Sequence, residues 1–203
     1  TDTDGIYSQD PKKKNSKKVK LIREIGSIDK IAAVVGGASG KLGSGGMESK
    51  LAAAKMASWA GVTTTIAAAT RHNVVADSLL QLGELGTIIH PKPKPLSARK
   101  LWIAFAVQPK GKLIIDKGAQ EAIEENGGSL LVVGVLEQHG TFERGDAVEI
   151  LNEKSELIAR GLVSFSSSQL KDSLNKDVSE AEKMQPSEII HRDELVILSE
   201  KHY

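Results

Sequence analysis

The chain has 203 residues, 40% apolar and only 3% aromatic, and its 27 basic side chains nearly balance 26 acidic ones for a formal charge of +1. That length allows one large or two small domains, and the charge balance argues against binding nucleic acid through bulk charge alone. The absence of cysteine excludes disulfides, thiolate catalysis and Cys-ligated zinc, and makes a reducing cytoplasm the expected setting. No apolar run is long enough to span a bilayer and none resembles a signal peptide.

Residues 1–10 are polar and turn-rich, and Asp10-Pro11 breaks regular structure. Lys12, Lys13, Lys14, Lys17, Lys18 and Lys20 form a basic run, read as a solvated loop with polyanion contact as the alternative. Leu21 to Ile25 is a short apolar patch, and Ile28 to Val35 fits helix or strand. Gly43-Ser44-Gly45-Gly46 then leads into Met47-Glu48-Ser49-Lys50 and an alanine-rich run ending at Trp59, a pattern that predicts a flexible loop opening a helix that stops at Gly61. Such a loop admits a ligand that any Cβ would block, and the first helical turn aims N–H groups without intrahelical partners at it. An anion fits there, with Lys50 placed to reach a phosphate; the competing reading is a plain loop and a solvated lysine.

Val62 to Ala68 is β-branched and nearly uncharged, which predicts a strand covered on both faces. Val74 to Leu82 reads as a helix and Gly86 to His90 as another strand. The alternation predicts a parallel α/β sheet, with the Gly-rich loop on the ligand-binding edge beyond the strands' carboxyl ends. Three prolines within Pro91 to Pro95 predict an extended, stiff segment and a domain boundary. Beyond it, residues 101–105, 111–115, 129–133, 147–151 and 157–163 read as short strands, and only Lys117 to Glu125 as a helix. That spacing predicts a small β-barrel. Asp172 to Gln185 reads as a charged helix or linker, and Ile189 to Leu198 as a closing strand.

Gly45-Gly46-Met47 with Lys50 and the following helix, preceded by Thr1-Asp2-Thr3-Asp4-Gly5-Ile6-Tyr7-Ser8-Gln9-Asp10-Pro11, resembles the carboxyl-terminal half of the amino acid kinase fold, an α/β/α sandwich. Gly118-Ala119, Gly128-Ser129-Leu130-Leu131, Gly134-Val135, the run Gly140 to Val148 and Ala159-Arg160-Gly161-Leu162 resemble a PUA domain, the small mostly-β barrel named after pseudouridine synthases and archaeosine transglycosylases. In this order the two resemble the bacterial glutamate 5-kinase family. The expected organisation is 1–92 as the carboxyl-terminal, nucleotide-side portion of a kinase domain, 93–98 as linker, 99–175 as PUA domain and 176–203 as an extension packing on it.

The resemblance implies a reaction: ATP and L-glutamate give ADP and L-glutamyl 5-phosphate, with Mg2+, as the first step of proline biosynthesis. It assigns ATP binding to Thr1, Asp2, Ser44, Gly45, Gly46, Met47, Glu48, Ser49 and Lys50, and charge neutralisation in catalysis to Lys50. It also implies a homo-oligomer with proline as a feedback inhibitor, and structured RNA as a partner of the PUA domain, where Arg99, Lys100, Lys110 and Lys112 stand near enough in sequence to meet phosphates. Ser44 keeps the hydroxyl of the family's usual threonine, Glu48 replaces a smaller residue and is expected to point outward, and Ala69 replaces a common glycine. The chain opens without an initiator Met and is expected to be a piece of a longer protein, its glutamate-binding half elsewhere and its own turnover therefore absent. His72, His90, His139, His191 and His202 are scattered, with no pair at ligand spacing on one helix, so no metal site is assigned. Trp59 and Trp102 are expected to be packing residues.

Overall fold

Two units divide the chain, Thr1–Leu96 and Ser97–Tyr203, and the computed structural model describes residues 1–9, 19–26, 47–80, 85–174 and 187–199. The basic run from Lys12 to Lys18, the segment from Ile28 to Val35 and the glycine-rich loop with Ser44, Gly45 and Gly46 lie outside the described residues. So does most of the expected charged linker before residue 187.

In the first unit β1 (Ile6–Tyr7) pairs antiparallel with β2 (Leu21–Ile22). β3 (Glu24–Ile25) follows, then helix α1 (Met47–Trp59), β4 (Thr64–Ile66), α2 (Val74–Leu80) and β5 (Thr87–Ile89). α1 forms where alanines of high helix propensity crowd together. Met47, Leu51, Ala54 and Ser58 fall at helical spacing on one stripe, and the first three join Ile6, Ile25, Ile66 and Ile89 in one apolar core. Gly61, at φ +81°, follows the helix as its stop. The Thr87 hydroxyl, fully buried, accepts from Ile6 N (2.8 Å) and donates to Ile22 O (2.6 Å), tying the β1–β2 ribbon to β5.

The three-stranded sheet has the order β3-β5-β4. β3 and β5 run parallel, but β4 and β5 pair antiparallel, contrary to the expected all-parallel arrangement. A right-handed crossover needs a helix that covers the sheet. α2, between β4 and β5, buries none of its residues, and Val75 and Leu79 are mostly exposed. β4 is also shorter than the predicted strand, and Val62 is exposed.

In the second unit the expected first strand, 101–105, is instead helical: α3 (Ala98–Leu101) runs into a wide turn of π-helix at Trp102–Ala106. The Ser97 side chain caps α3 by accepting from Lys100 N (3.3 Å), and this start signal outweighs a short apolar run whose period is ambiguous. Then come β6 (Gly111–Ile115), α4 (Lys117–Glu124), β7 (Leu130–Leu131) and β8 (Val135–Gly140). They are followed by β9 (Ala147–Leu151), β10 (Leu157–Leu162), α5 (Ser167–Leu174), β11 (Glu188–Ile190) and β12 (Leu195–Ile197). Asp116 caps α4 by accepting from Ala119 N (2.7 Å). The main sheet has the order β12-β10-β9-β6-β8, with β6 and β9 parallel and the other pairs antiparallel; β7 and β11 form a separate ribbon. Leu130 of the ribbon and Ile189 and Ile190 of its partner share one core with Leu113, Ile115, Phe142, Val148 and Ile150. The five-stranded sheet and the ribbon thus close on one core and form the small, mostly-β domain that the spacing predicts. Trp59 is buried as expected, whereas Trp102 is half exposed.

Candidate functional site

Thr1 and Asp2 lie beside the exit of β4. The Thr1 nitrogen donates to Ala67 O (3.1 Å) and Ala69 N donates to Thr1 O (2.7 Å), so this segment continues the sheet edge where β4 ends. The Thr1 hydroxyl donates to Asp2 Oδ1 (3.0 Å), which orients the carboxylate. Gly86 reaches the same junction: at φ +48°, its Cα faces the Ile66 and Asp4 carbonyl oxygens so closely that no side chain fits. Asp4 accepts from the Tyr7 hydroxyl (3.2 Å), and burial first, then this carboxylate, hold the Tyr7 phenol above its ordinary pKa.

Met47, Glu48, Ser49 and Lys50 form the first turn of α1. Glu48 is exposed, as expected, while Lys50 is half-buried. Ile66, the last residue of β4, shares a core with Met47, Leu51 and Ala54 of α1. The Lys50 turn opens a helix rooted in this cluster, and the Thr1-Asp2 pair is bonded to the segment that follows β4, another of its elements. Ser44, Gly45 and Gly46, the remaining assigned residues, lie outside the described residues. What the arrangement offers chemically is a lysine in the first turn of a helix, at the positive end of the helix dipole, a combination suited to phosphate.

The far end of α1 holds a feature that sequence reasoning missed. Lys92, from the proline-rich segment, is buried with its Nζ 3.7 Å from the centroid of the Trp59 ring. No sequence signal separates Lys92 from the exposed Lys94 two residues on. In the second unit Arg99 binds Glu194 (2.7 Å), Lys100 donates to Arg192 O (3.3 Å), Lys110 pairs with Asp146 (2.8 Å) and Lys112 with Glu149 (3.8 Å). Each residue of the expected phosphate-binding cluster thus already holds a partner in the protein. Among the described residues no three His, Asp or Glu side chains converge as a metal site, and no helix is long and apolar enough to cross a membrane.

Comparison with known proteins gives this geometry a class. The amino acid kinase family model matches residues 1–68 and the PUA domain model matches residues 111–184, so the chain is a kinase-fold portion followed by a PUA domain. A crystal structure of a PUA domain from Aeropyrum pernix aligns at 30% identity over 46% of this chain and 48% of its own, with a TM-score of 0.35. Along nearly its whole length the sequence is similar to glutamate 5-kinases. It is 39% identical to glutamate 5-kinase of Prochlorococcus marinus over 97% of this chain and 54% of that protein. It is 40% identical to that of Photobacterium profundum over 98% and 53%. The chain spans about half the length of the curated relatives it matches.

Proposed function

We propose that this chain forms the nucleotide side of an ATP-dependent kinase that phosphorylates the side-chain carboxylate of L-glutamate to L-glutamyl 5-phosphate. The reading is carried by the unbroken run of 38–40% identity to glutamate 5-kinases over 97–98% of the chain. The half-buried Lys50 in the first turn of a 13-residue helix supports it.

Phosphoryl transfer leaves the protein little covalent chemistry; it asks for in-line positioning and for neutralisation of spreading negative charge. A carboxylate oxygen of glutamate forms the new P–O bond as the bond to ADP breaks. With an ordinary pKa near 4.3 the acceptor is already ionised at neutral pH, so the reaction needs no general base. The amide groups opening α1 hold the phosphates, and Lys50 meets the charge on the moving group. Thr1 and Asp2 bound the nucleotide from the β4 edge. Mg2+ bound with ATP would supply further charge neutralisation, held mainly by phosphate oxygens and water.

The test is glutamate-dependent hydroxamate formation by the full-length protein with ATP, Mg2+ and hydroxylamine. Lys50→Met is expected to lower kcat roughly a hundredfold to a thousandfold. A variant within threefold of the wild type removes Lys50 from the chemistry, and a wild type making no glutamyl hydroxamate removes the reaction.

A further inference from the structure

α1 has two ends, and the proposed nucleotide chemistry uses only one. At the other, a helix leaves its last carbonyls without intrahelical donors. Here the proline-rich segment supplies them: Lys92 N donates to Ser58 O (2.9 Å) and Leu96 N to Trp59 O (2.8 Å), while the Ser58 hydroxyl donates back to His90 O (2.9 Å). The Trp59 side chain is 1% exposed and Lys92 only 8%. The Lys92 ammonium stands 3.7 Å from the ring centroid, and Lys55 Nζ stands 5.7 Å from it. A buried ammonium needs compensation, and the negative face of the indole and the partial negative charge of the helix C-terminus both contribute to it at this position.

We propose that Lys92 is a positioning residue for nucleotide binding, acting through Trp59 and α1 on Lys50. The inference rests on the reading of Lys50 as the phosphate-facing cation. Trp59 lies nine positions after Lys50, about 13.5 Å along a helix rising about 1.5 Å per residue, with no Gly or Pro between them to absorb a tilt. Met47, Leu51 and Ala54 anchor the helix to the sheet along one stripe. The clamp at its carboxyl end restrains rotation about that stripe, and so bears on where the Lys50 side chain starts. A segment that composition marks as a spacer is in this way part of the nucleotide site's support.

ATP affinity of the chain, measured by titration calorimetry, separates the possibilities. Lys92→Met keeps the length of the side chain and removes its charge; it is expected to weaken ATP binding roughly three- to tenfold, and Lys92→Arg, which restores a cation over the ring, to return it within about twofold. Trp59 emission in a Trp102→Phe background should change on ATP addition, because a phosphate drawing on Lys50 turns the helix against its clamp and shifts the ring relative to the Lys92 ammonium; this second reading holds even where Lys92→Met fails to fold. Wild-type affinity in Lys92→Met overturns the inference. So does equal loss in Lys92→Met and Lys92→Arg, which would leave only packing, and so does a Trp59 signal blind to ATP. If Lys50→Met abolishes ATP binding while Lys92→Met leaves it untouched, only this inference falls; if the wild-type chain has no affinity for ATP, the proposed function falls and takes this with it.

Discussion

Replacing Gly86 by alanine should unfold the first unit selectively. Gly86 has φ +48°, in the left-handed region where a residue with a Cβ costs on the order of 1–2 kcal/mol. The added Cβ would also overlap the Ile66 carbonyl oxygen and lie 2.8 Å from the Asp4 carbonyl oxygen and 2.9 Å from Ala67 Cα. All three are backbone atoms, so no rotamer relieves the overlap; β4 and the Thr1–Gly5 segment must separate, which adds about 1–3 kcal/mol by analogy with overpacked cores. The sum, about 2–5 kcal/mol, is a large share of the roughly 5–15 kcal/mol that holds a domain together. The two tryptophans give a probe in each unit, Trp59 in the first and Trp102 in the second. In urea, with Trp102→Phe leaving Trp59 as reporter, the midpoint should fall by more than about 1 M. The Trp102 transition, read in Trp59→Phe, should hold, because the three nearest neighbours of Gly86 all lie in the first unit. A Trp59 midpoint within about 0.3 M of the parent refutes the reasoning, since it would mean that the junction yields without cost. Because Thr1 bonds to Ala67 and Ala69 at this same junction, ATP affinity should fall with stability.

Two further outcomes concern the second unit. Leu113 is fully buried in β6 at the middle of its core, so Leu113→Ala should cost about 2–5 kcal/mol, read as a lower urea midpoint of the Trp102 signal; a cost under about 1 kcal/mol would show that the core collapses around the cavity. The Lys110 ammonium and the Glu143 N–H, each 2.8 Å away, hold the Asp146 carboxyl below its ordinary pKa. A lowered native pKa favours the fold fully above the unfolded carboxylate value near 3.9 and loses that contribution as pH falls through the native value. Thermal melts at pH 3–6 should therefore show a shallower acid slope for Asp146→Asn than for the parent, and superimposable slopes would exclude this carboxylate as a source of the pH dependence.

Where several levels of sequence signal agree, the structure follows them. α1 combines alanine propensity, an apolar stripe and a terminal glycine; α4 combines Asp116 as cap with a helix-period pattern. β6, β9 and β10 are apolar, β-rich runs bounded by turn residues. What escaped sequence reading depends on partners far away in the chain. β8 carries Glu137, Gln138 and His139 and has no apolar alternation, because it is the sheet's edge strand and little of it is buried; only pairing with β6 makes it a strand. The orientation of β4 against β5 turns on whether α2 covers the sheet, and the apolar residues of α2 look the same in sequence whether they are covered or not. Thr1 and Asp2 were assigned only through resemblance to a family motif, and Lys50 also from the glycine-rich pattern that precedes its helix. The role of Lys92 is set by a ring 33 positions away and leaves no local trace.

The same limit governs the basic residues of the second unit. Arg99, Lys100, Lys110 and Lys112 read as a phosphate-binding group because they are close in sequence and like-charged. Folding brings Glu194 and the Arg192 carbonyl from the far end of the unit to the first two, and Asp146 and Glu149 to the others. Binding to a polyanion draws its free energy from cations that replace condensed counterions on phosphates. A lysine already matched to a carboxylate releases no such surplus without first giving up that partner. Glu149 is shared further: Arg160 donates to it (3.1 Å) and to Ala104 O (2.9 Å), so one arginine joins β9 and β10 to the π-helical turn. Arg99, Lys100 and Arg160 therefore tie the second unit's amino-terminal helical segment to the rest of its fold, while Lys110 and Lys112 pair with Asp146 and Glu149 at β9.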